Sequence, residues 1–341
     1  MAVYNGRPFL RETVDGILGQ TFADFEFIIV DDASTDGTAE ILAEYGARDA
    51  RIVLLSNDAN IGQSRSLNRG FDLARGEYVA RTDADDVALP QRFARQVAFL
   101  ERHRDIGILG SGSWLIDANG NSRGGSSLMP LDDLQIRWST MFQNPIHHST
   151  VMLRRDVLER HHLRYDGAWL AQDYHLWVRM LRHTRAANLP ERLMKYRVHG
   201  ANFTRRNFEV VKRETAEIAL QAVRDQLADF PLAPDRLSQL VALCSNWPSP
   251  PLTGSQRAGL AAMLFDLVAA FMQAHSGSLG LDALRRYAAL RIARVVFRGA
   301  PRLQWPGVLL RLLRLDPMLP WNTLQHVRNS RRDILTEPAR H

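Results

Sequence analysis

Arg81-Thr82-Asp83-Ala84-Asp85-Asp86 crowds three carboxylates into a short turn directly after the apolar, strand-forming run Glu77-Tyr78-Val79-Ala80. Like charges this close raise one another's pKa unless a cation or hydrogen-bonding ligand compensates them. Hard oxygens fanned out at a strand end suit Mg²⁺ or Mn²⁺ carrying a phosphorylated molecule. Taken alone, the same residues could form a solvated acidic turn. A second pair, Asp31-Asp32, follows Phe25-Glu26-Phe27-Ile28-Ile29-Val30, which reads as a buried parallel strand. Both acidic groups therefore fall just past strand carboxyl ends, the edge at which open α/β sheets bind ligands. Ala33-Ser34-Thr35-Asp36-Gly37-Thr38 then leads into a helical pattern, so Asp31, Ser34 and Asp36 also suit plain turn and cap roles.

Further blocks lie in order along the chain: Val3-Tyr4-Asn5-Gly6, Leu18-Gly19-Gln20-Thr21-Phe22, Asn60-Ile61-Gly62, Leu67-Asn68-Arg69-Gly70, Asn144-Pro145-Ile146-His147-His148-Ser149, Gln172-Asp173-Tyr174-His175-Leu176-Trp177 and Tyr196-Arg197-Val198-His199. With the two acidic groups, this ordered set resembles the large family 2 of inverting, nucleotide-sugar-dependent glycosyltransferases. The resemblance covers about the first 200 residues. It implies the GT-A fold, an α/β fold with a Rossmann-like nucleotide-binding sheet and helices on both faces.

The resemblance also implies roles. Asp173 takes the position of the general base that accepts the acceptor hydroxyl's proton, at a helix start where backbone dipoles favour its ionised form. The residue before it is Gln172 where the family usually has Glu, which keeps hydrogen-bonding shape but removes a charge beside the acceptor. Asp85, with Asp86, is the expected metal ligand, and His199 faces the metal or diphosphate from a closing loop. Asp83 would bond the ribose, Asp32 the N–H of the nucleobase, and Tyr4 would stack on the base. His148, Gln172 and Trp177 fall on the acceptor side, Trp177 either as a platform for a sugar ring or as a core residue. The implied partners are a UDP- or dTDP-sugar donor, Mg²⁺ or Mn²⁺, and a glycan or lipid-linked acceptor in cell-surface polysaccharide synthesis. Gln172 and the shortened start leave open a noncatalytic paralogue that binds a nucleotide sugar or glycan.

That shortened start is a departure from the family. A β-branched strand normally precedes the Val-Tyr-Asn turn, yet Met1 falls where that strand should be ending. The expectation is a missing first strand, with unpaired backbone groups and a slot of exposed apolar surface, and a start that is either internal to a longer reading frame or that of a truncated copy.

The elements that must position these residues follow from apolar periodicity. Helices are expected near 8–20, 37–48, 63–75 and 90–104, with Pro90 in the first turn of the last. Strands are expected near 25–30, 51–56, 77–82, 106–116 and 149–154, with a closing strand near 192–198. Beyond Arg205 the pattern is helical only, near 206–228, 255–275 and 279–298. A catalytic domain over 1–204 and a helical, basic region over 205–341 follow. Residues 1–204 hold 24 Lys/Arg against 26 Asp/Glu, and the remainder holds 19 against 11, so the whole formal +6 comes from the tail. Arg285, Arg286, Arg291, Arg294, Arg298, Arg302, Arg311 and Arg314 interleave there with apolar residues. Such a face suits either an anionic membrane surface or a packed subdomain. Nucleic acid is not expected, since no reader motif accompanies the charge. The apolar stretch Ala258–Ala274 is interrupted by Asp266 and reads as short for a membrane span.

The single cysteine, Cys244, excludes an internal disulfide and fits a reducing cytoplasm, as does the absence of a signal-peptide pattern in the sequence. No P-loop, dinucleotide fingerprint, nucleophile elbow or zinc-spaced cysteine set occurs. Phosphotransfer through Asp31 or Asp32 finds none of its usual partners.

Overall fold

Short aliphatic and β-branched runs, each closed by an acidic or glycine-containing turn, alternate with amphipathic segments and build a layered α/β unit. The computed structural model describes residues 1–125, 129–200, 206–232, 234–245, 253–297 and 306–319. The chain divides into two units, Met1–Met129 with Ile146–Phe208, and Pro130–Pro145 with Glu209–His341. Pro130–Pro145 groups with the tail rather than with the first unit, and the later division falls between Phe208 and Glu209. The reason is aromatic packing: within the second unit Trp138 meets Phe142 and Tyr287 edge-on, and Ser139 Oγ lies 3.0 Å from Tyr287 Oη.

The first unit opens with β1 (Ala2–Val3), α1 (Leu10–Leu18), β2 (Phe27–Asp31), α2 (Thr38–Arg48), β3 (Ile52–Ser56), α3 (Gln63–Leu73) and β4 (Tyr78–Ala80). It continues with β5 (Val87–Ala88), α4 (Arg92–Arg102), β6 (Ile106–Asp117) and β7 (Ser122–Gly125). After α5 (Asp133–Ser139) of the second unit come β8 (Met152–Arg154), α6 (Arg155–Arg160), α7 (Gln172–Met180) and β9 (Arg185–Val198). One sheet has the order β1-β2-β3, all parallel. The other runs β4-β8-β6-β9-β5, with β7 added to β6.

The strand at the start of the chain, β1, is two residues long, and the described strands fall into two sheets. Its short length leaves β4 paired on one edge alone among the described residues. The closing strand is longer than 192–198 because β9 follows β6 in parallel from Arg185. Pro190 and Glu191 bulge out of that ladder, where the register jumps from Ser111↔Leu189 to Gly112↔Arg192. A proline lacks the N–H for a ladder and breaks the apolar alternation, which hid the first half of the strand from periodicity. Pro90 likewise lies in the turn before α4, two residues short of Arg92, and its carbonyl accepts from the Thr21 N–H at 2.8 Å.

Helix faces follow their apolar spacing. Leu10, Val14 and Ile17 of α1 are buried, each contributing roughly 1.5–3 kcal/mol relative to exposure. The α4 helix buries Phe93 and Leu100 beside two polar residues, Arg92 and Gln96. Arg92 Nη2 donates to the carbonyls of Arg81 (2.8 Å) and Val151 (3.1 Å), and Gln96 Nε2 donates to that of Thr150 (2.8 Å). Burial, with Arg81 nearby, pushes the Arg92 guanidinium down to about 9. This pair clamps the turn after β4 to the segment before β8, which is how the acidic turn acquires a fixed neighbour in Ser149.

The second unit contains, after α5, the helices α8 (Phe208–Gln226), α9 (Pro234–Cys244), α10 (Gly254–Ala274), α11 (Leu281–Phe297) and α12 (Pro306–Leu315). Thr253 caps α10 with Gln256 in a reciprocal capping box. Ser255–Ala274 is long and apolar enough to cross a membrane by length and composition, which corrects the reading of that stretch as too short. The same helix also serves as a packing helix: Leu264, Leu267 and Phe271 are buried, and Asp266 pairs with Arg311 at 3.3 Å. Among the basic residues, Arg285 pairs with Asp282, while Arg291 donates to Gln143 and to the Cys244 carbonyl. Arg298 and Arg302 lie outside the described residues.

Candidate active site

Three carboxylates meet at the end of β4. One oxygen each from Asp83, Asp85 and Asp86 lies within 4.8 Å of the others. Oxygens trans on one Mg²⁺ or Mn²⁺ stand about 4.2 Å apart, so side-chain shifts alone would bring these into one coordination sphere. The three environments differ. Burial pushes the Asp83 carboxyl up, but Arg81, His148 and Ser149 outweigh it and hold the group at about 2. Arg81 grips Asp83 through both terminal nitrogens, while Ser149 Oγ donates at 2.8 Å and Gln63 Nε2 at 3.1 Å. Burial and the neighbouring Asp83 raise Asp85 despite His199, whose Nε2 lies 2.9 Å from Asp85 Oδ2. Asp86 is raised well above the usual range by burial and then by Asp85 and Asp83. Its Oδ1 accepts from the Arg197 N–H at 2.8 Å, but its buried Oδ2 has no hydrogen-bond partner among the described residues. An unpartnered buried carboxylate oxygen beside two more carboxylates is the environment a divalent cation satisfies, so the residues fit such an ion.

Arg197 secures this turn from below. Its Nε donates to the Asp85 carbonyl at 2.9 Å, a terminal nitrogen pairs with Glu12, and its guanidinium lies 4.7 Å from the Phe9 ring centre. His199 follows β9 directly and tilts against the same Phe9 ring. Arg81, Ser149 and Arg197 stand inside the quoted sequence blocks and Gln63 just after one, but the sequence assigns none of them a role.

At the end of β2, Asp32 serves as a structural latch. Its Oδ1 accepts from Asn57 Nδ2 (2.6 Å) and the Ile61 N–H (2.9 Å), and its Oδ2 from the Gly62 N–H (2.9 Å). Of about four acceptor sites on a carboxylate, three are taken, so the expected bond to a nucleobase has one lone pair left. Asp31 Oδ1 accepts from the Ser34 N–H, and Asp36 bonds the Arg7 and Thr38 N–H groups, which makes both turn residues. Asn5 and Ala33 hold positive φ in this turn, at 51° and 60°, and Tyr4 beside them is 53% exposed, leaving its ring face open. Asp32→Ala should cost about 3 kcal/mol by leaving three donors unmet, read as a lowered urea midpoint at unchanged slope. An unchanged midpoint with weakened nucleotide binding would show instead that this carboxylate is held for the base.

Asp173 lies in the first turn of α7 and is half-buried. The charge of Asp173 acts on Arg81, Tyr165 and Tyr196, of which Arg81 also grips Asp83 of the acidic turn. Gln172 is buried and joins α7 to the start of α3: it accepts from Ser64 Oγ and donates through Nε2 to Gln63 Oε1. Because Gln63 in turn bonds Asp83, the Gln172 amide belongs to a chain that reaches the acidic turn. His148 Nε2 lies 2.7 Å from Tyr165 Oη, and burial together with Arg81 holds the imidazole well below its usual pKa. His147 Nδ1 is instead 3.0 Å from Ser113 Oγ. Trp177 is not a sugar platform: it is 0% exposed and stands edge-on behind His148, its ring 6.1 Å away. On α7 its position, four residues after Asp173, turns inward rather than toward the cleft. Trp169, stacked on His175 at 4.7 Å, is the partly exposed indole of this region.

Residues 1–161 match the family described as Glycosyl transferase family 2. A putative glycosyltransferase, EpsE of Bacillus subtilis, is 35% identical over 228 residues, covering 66% of this chain and 80% of EpsE. The chain belongs to glycosyltransferase family 2. It is likewise 32% identical over 205 residues to WbnJ of Escherichia coli, an O-antigen biosynthesis glycosyltransferase, covering 59% of this chain and 78% of WbnJ. Among solved structures, Staphylococcus aureus TarS 1-349 in complex with UDP-GlcNAc superposes with a TM-score of 0.56 at 17% identity, covering 95% of this chain and 90% of TarS. The mannosyltransferase PcManGT of Pyrobaculum calidifontis, in complex with GDP-Man and Mn²⁺, gives 0.51 at 19% identity, covering 94% and 86%. The fold of this glycosyltransferase is GT-A.

Proposed function

We propose that this glycosyltransferase transfers a sugar from a UDP- or dTDP-sugar to a glycan or lipid-linked acceptor with inversion at the anomeric carbon, in the assembly of a cell-surface polysaccharide. The observation that carries the reading is the convergence of Asp83, Asp85 and Asp86, with an Asp86 oxygen unpartnered among the described residues, around an Arg81 that also feels the charge of Asp173. Asp85 and Asp86, with His199, would hold Mg²⁺ or Mn²⁺, and a bound ion there would stabilise the departing diphosphate. Asp83, freed in part from Arg81, would accept from the ribose. Tyr4 would stack on the base, and Asp32 would offer it one remaining lone pair. Asp173 accepts the proton of the attacking hydroxyl, while Gln172 holds the helix start against α3. His148, kept neutral, borders the acceptor side with Tyr165. The named activity of WbnJ, an O-antigen enzyme, supports the polysaccharide assignment. Titration calorimetry tests the donor site: UDP or dTDP should bind tightly only with Mn²⁺ or Mg²⁺, and metal-independent binding would contradict the assignment.

The enzyme would work in the cytoplasm, on the inner face of the membrane, with the basic tail against anionic lipid. Sedimentation with anionic vesicles should then be strong at low salt, fall as screening rises, and be much weaker with neutral vesicles. Equal failure with both would assign the tail to packing alone.

A further inference from the structure

Strands β6 and β9 run in parallel through Ser113↔Met194, Leu115↔Tyr196 and Ile116↔Arg197, with the register unbroken from Ser113 to Asp117. Side chains alternate across a strand, so Tyr196 stands on the face opposite Arg197, together with Ser113 and Met194. Arg197 Nε holds the Asp85 carbonyl from its own face, and the Arg197 N–H holds Asp86 Oδ1. On the other face lies His147. Its Nδ1 is 3.0 Å from Ser113 Oγ and its ring centre 6.0 Å from that of Tyr196, so one imidazole spans two adjacent strands. His147 is exposed and Tyr196 half-buried. Among the described residues, neither His147 Nε2 nor the Tyr196 hydroxyl has a hydrogen-bond partner. Both residues adjoin those that fix the acidic turn: His147 comes two positions before Ser149, which donates to Asp83, and Tyr196 comes directly before Arg197. Burial, and then the charges of Asp86, Asp83, Asp85 and Asp173, push the Tyr196 phenol above its usual range. It therefore keeps its proton and donates.

We propose that Tyr196 and His147 form the subsite for the transferred sugar, each holding one of its ring hydroxyls. The assignment rests on the metal and base positions proposed above. In a single displacement the anomeric carbon lies between the diphosphate, on the ion at Asp85 and Asp86, and the attacking hydroxyl, at Asp173. The Tyr196 hydroxyl is acted on by the carboxylates at both ends of that line, so the sugar in transit is the ligand it meets. A phenol hydroxyl and an imidazole nitrogen suit neutral hydroxyls, whereas a phosphate is held best by a cation. Because the two rings lie side by side on adjacent strands, they engage neighbouring hydroxyls and read their configuration, which makes the pair a determinant of sugar choice.

Calorimetry with Mn²⁺ separates the sugar from the nucleotide when UDP-glucose, UDP-galactose, UDP-N-acetylglucosamine and dTDP-glucose are compared with UDP and dTDP. Tyr196→Phe should weaken the sugar nucleotide that the wild type binds best by about 5- to 10-fold, the loss of one neutral hydrogen bond, and leave the free nucleotide unchanged. His147→Ala should do the same, and His147→Gln, which keeps a hydrogen-bonding group, should recover part of the loss. Unchanged free-nucleotide affinity also shows that each variant is folded with its metal site intact. Sugar-nucleotide affinity equal to wild type in Tyr196→Phe and His147→Ala would overturn the proposal, including the case in which only KM for the acceptor rises. An equal loss of UDP and of its sugar conjugate would overturn it too, since the pair would then serve the diphosphate. Failure of the wild type itself to bind UDP or dTDP with Mn²⁺ would remove the metal assignment, and the subsite with it.

Discussion

Replacing Asp173 by Asn should lower sugar transfer by about 10²-fold or more, the lower end of what a positioned base contributes, while donor affinity changes little. The substitution preserves size and most hydrogen-bonding shape but cannot accept the hydroxyl proton. The donor would rest on Asp83, Asp85 and Asp86 at the end of β4, whereas Asp173 lies in the first turn of α7 and acts on Arg81 through its charge. Binding and chemistry should therefore separate, with turnover falling and KM for donor held. A matching loss of donor affinity would make Asp173 structural, acting through Gln172 and the start of α3. Full activity in the variant would remove it as the base and return the search to Asp166, His148 and His199.

Asp85→Ala should abolish metal-dependent nucleotide binding while the fold persists. Asp85 is one of three hard ligands, and its present partner, His199, remains after the substitution. Removing it leaves Asp86 with its buried oxygen and Asp83 committed to Arg81, which is too little negative charge to draw a dehydrated ion from water. Asp83→Ala should instead weaken nucleotide binding more than metal binding and free the Arg81 guanidinium. Unchanged Mn²⁺-dependent UDP binding by Asp85→Ala would show that this turn does not hold the metal.

The sheet-edge logic was legible because two acidic groups each followed an apolar run, and the structure brings β2 and β4 to carry them. Helix starts at Thr38 and Gln63 agree closely with the apolar spacing. What was hidden has physical causes. The Pro190–Glu191 bulge interrupted the pattern of β9. The latch on Asp32 depends on Asn57, Ile61 and Gly62, whose approach to that carboxylate is a property of the fold and not of local spacing. Trp177 shares a helix with Asp173, but only packing decides which face turns inward. Arg92 and Arg197, which clamp the acidic turn from two sides, carried no role legible in sequence, because nothing local distinguishes a buried arginine from a solvated one.

The most direct measurement of the account is the anomeric configuration of the transferred sugar, read from the ¹H coupling of the anomeric proton after turnover with an α-linked UDP- or dTDP-sugar and Mn²⁺. Single displacement with Asp173 as base predicts a β-linked product from the first detectable turnover, lost in Asp173→Asn. An α-linked product would contradict the account outright.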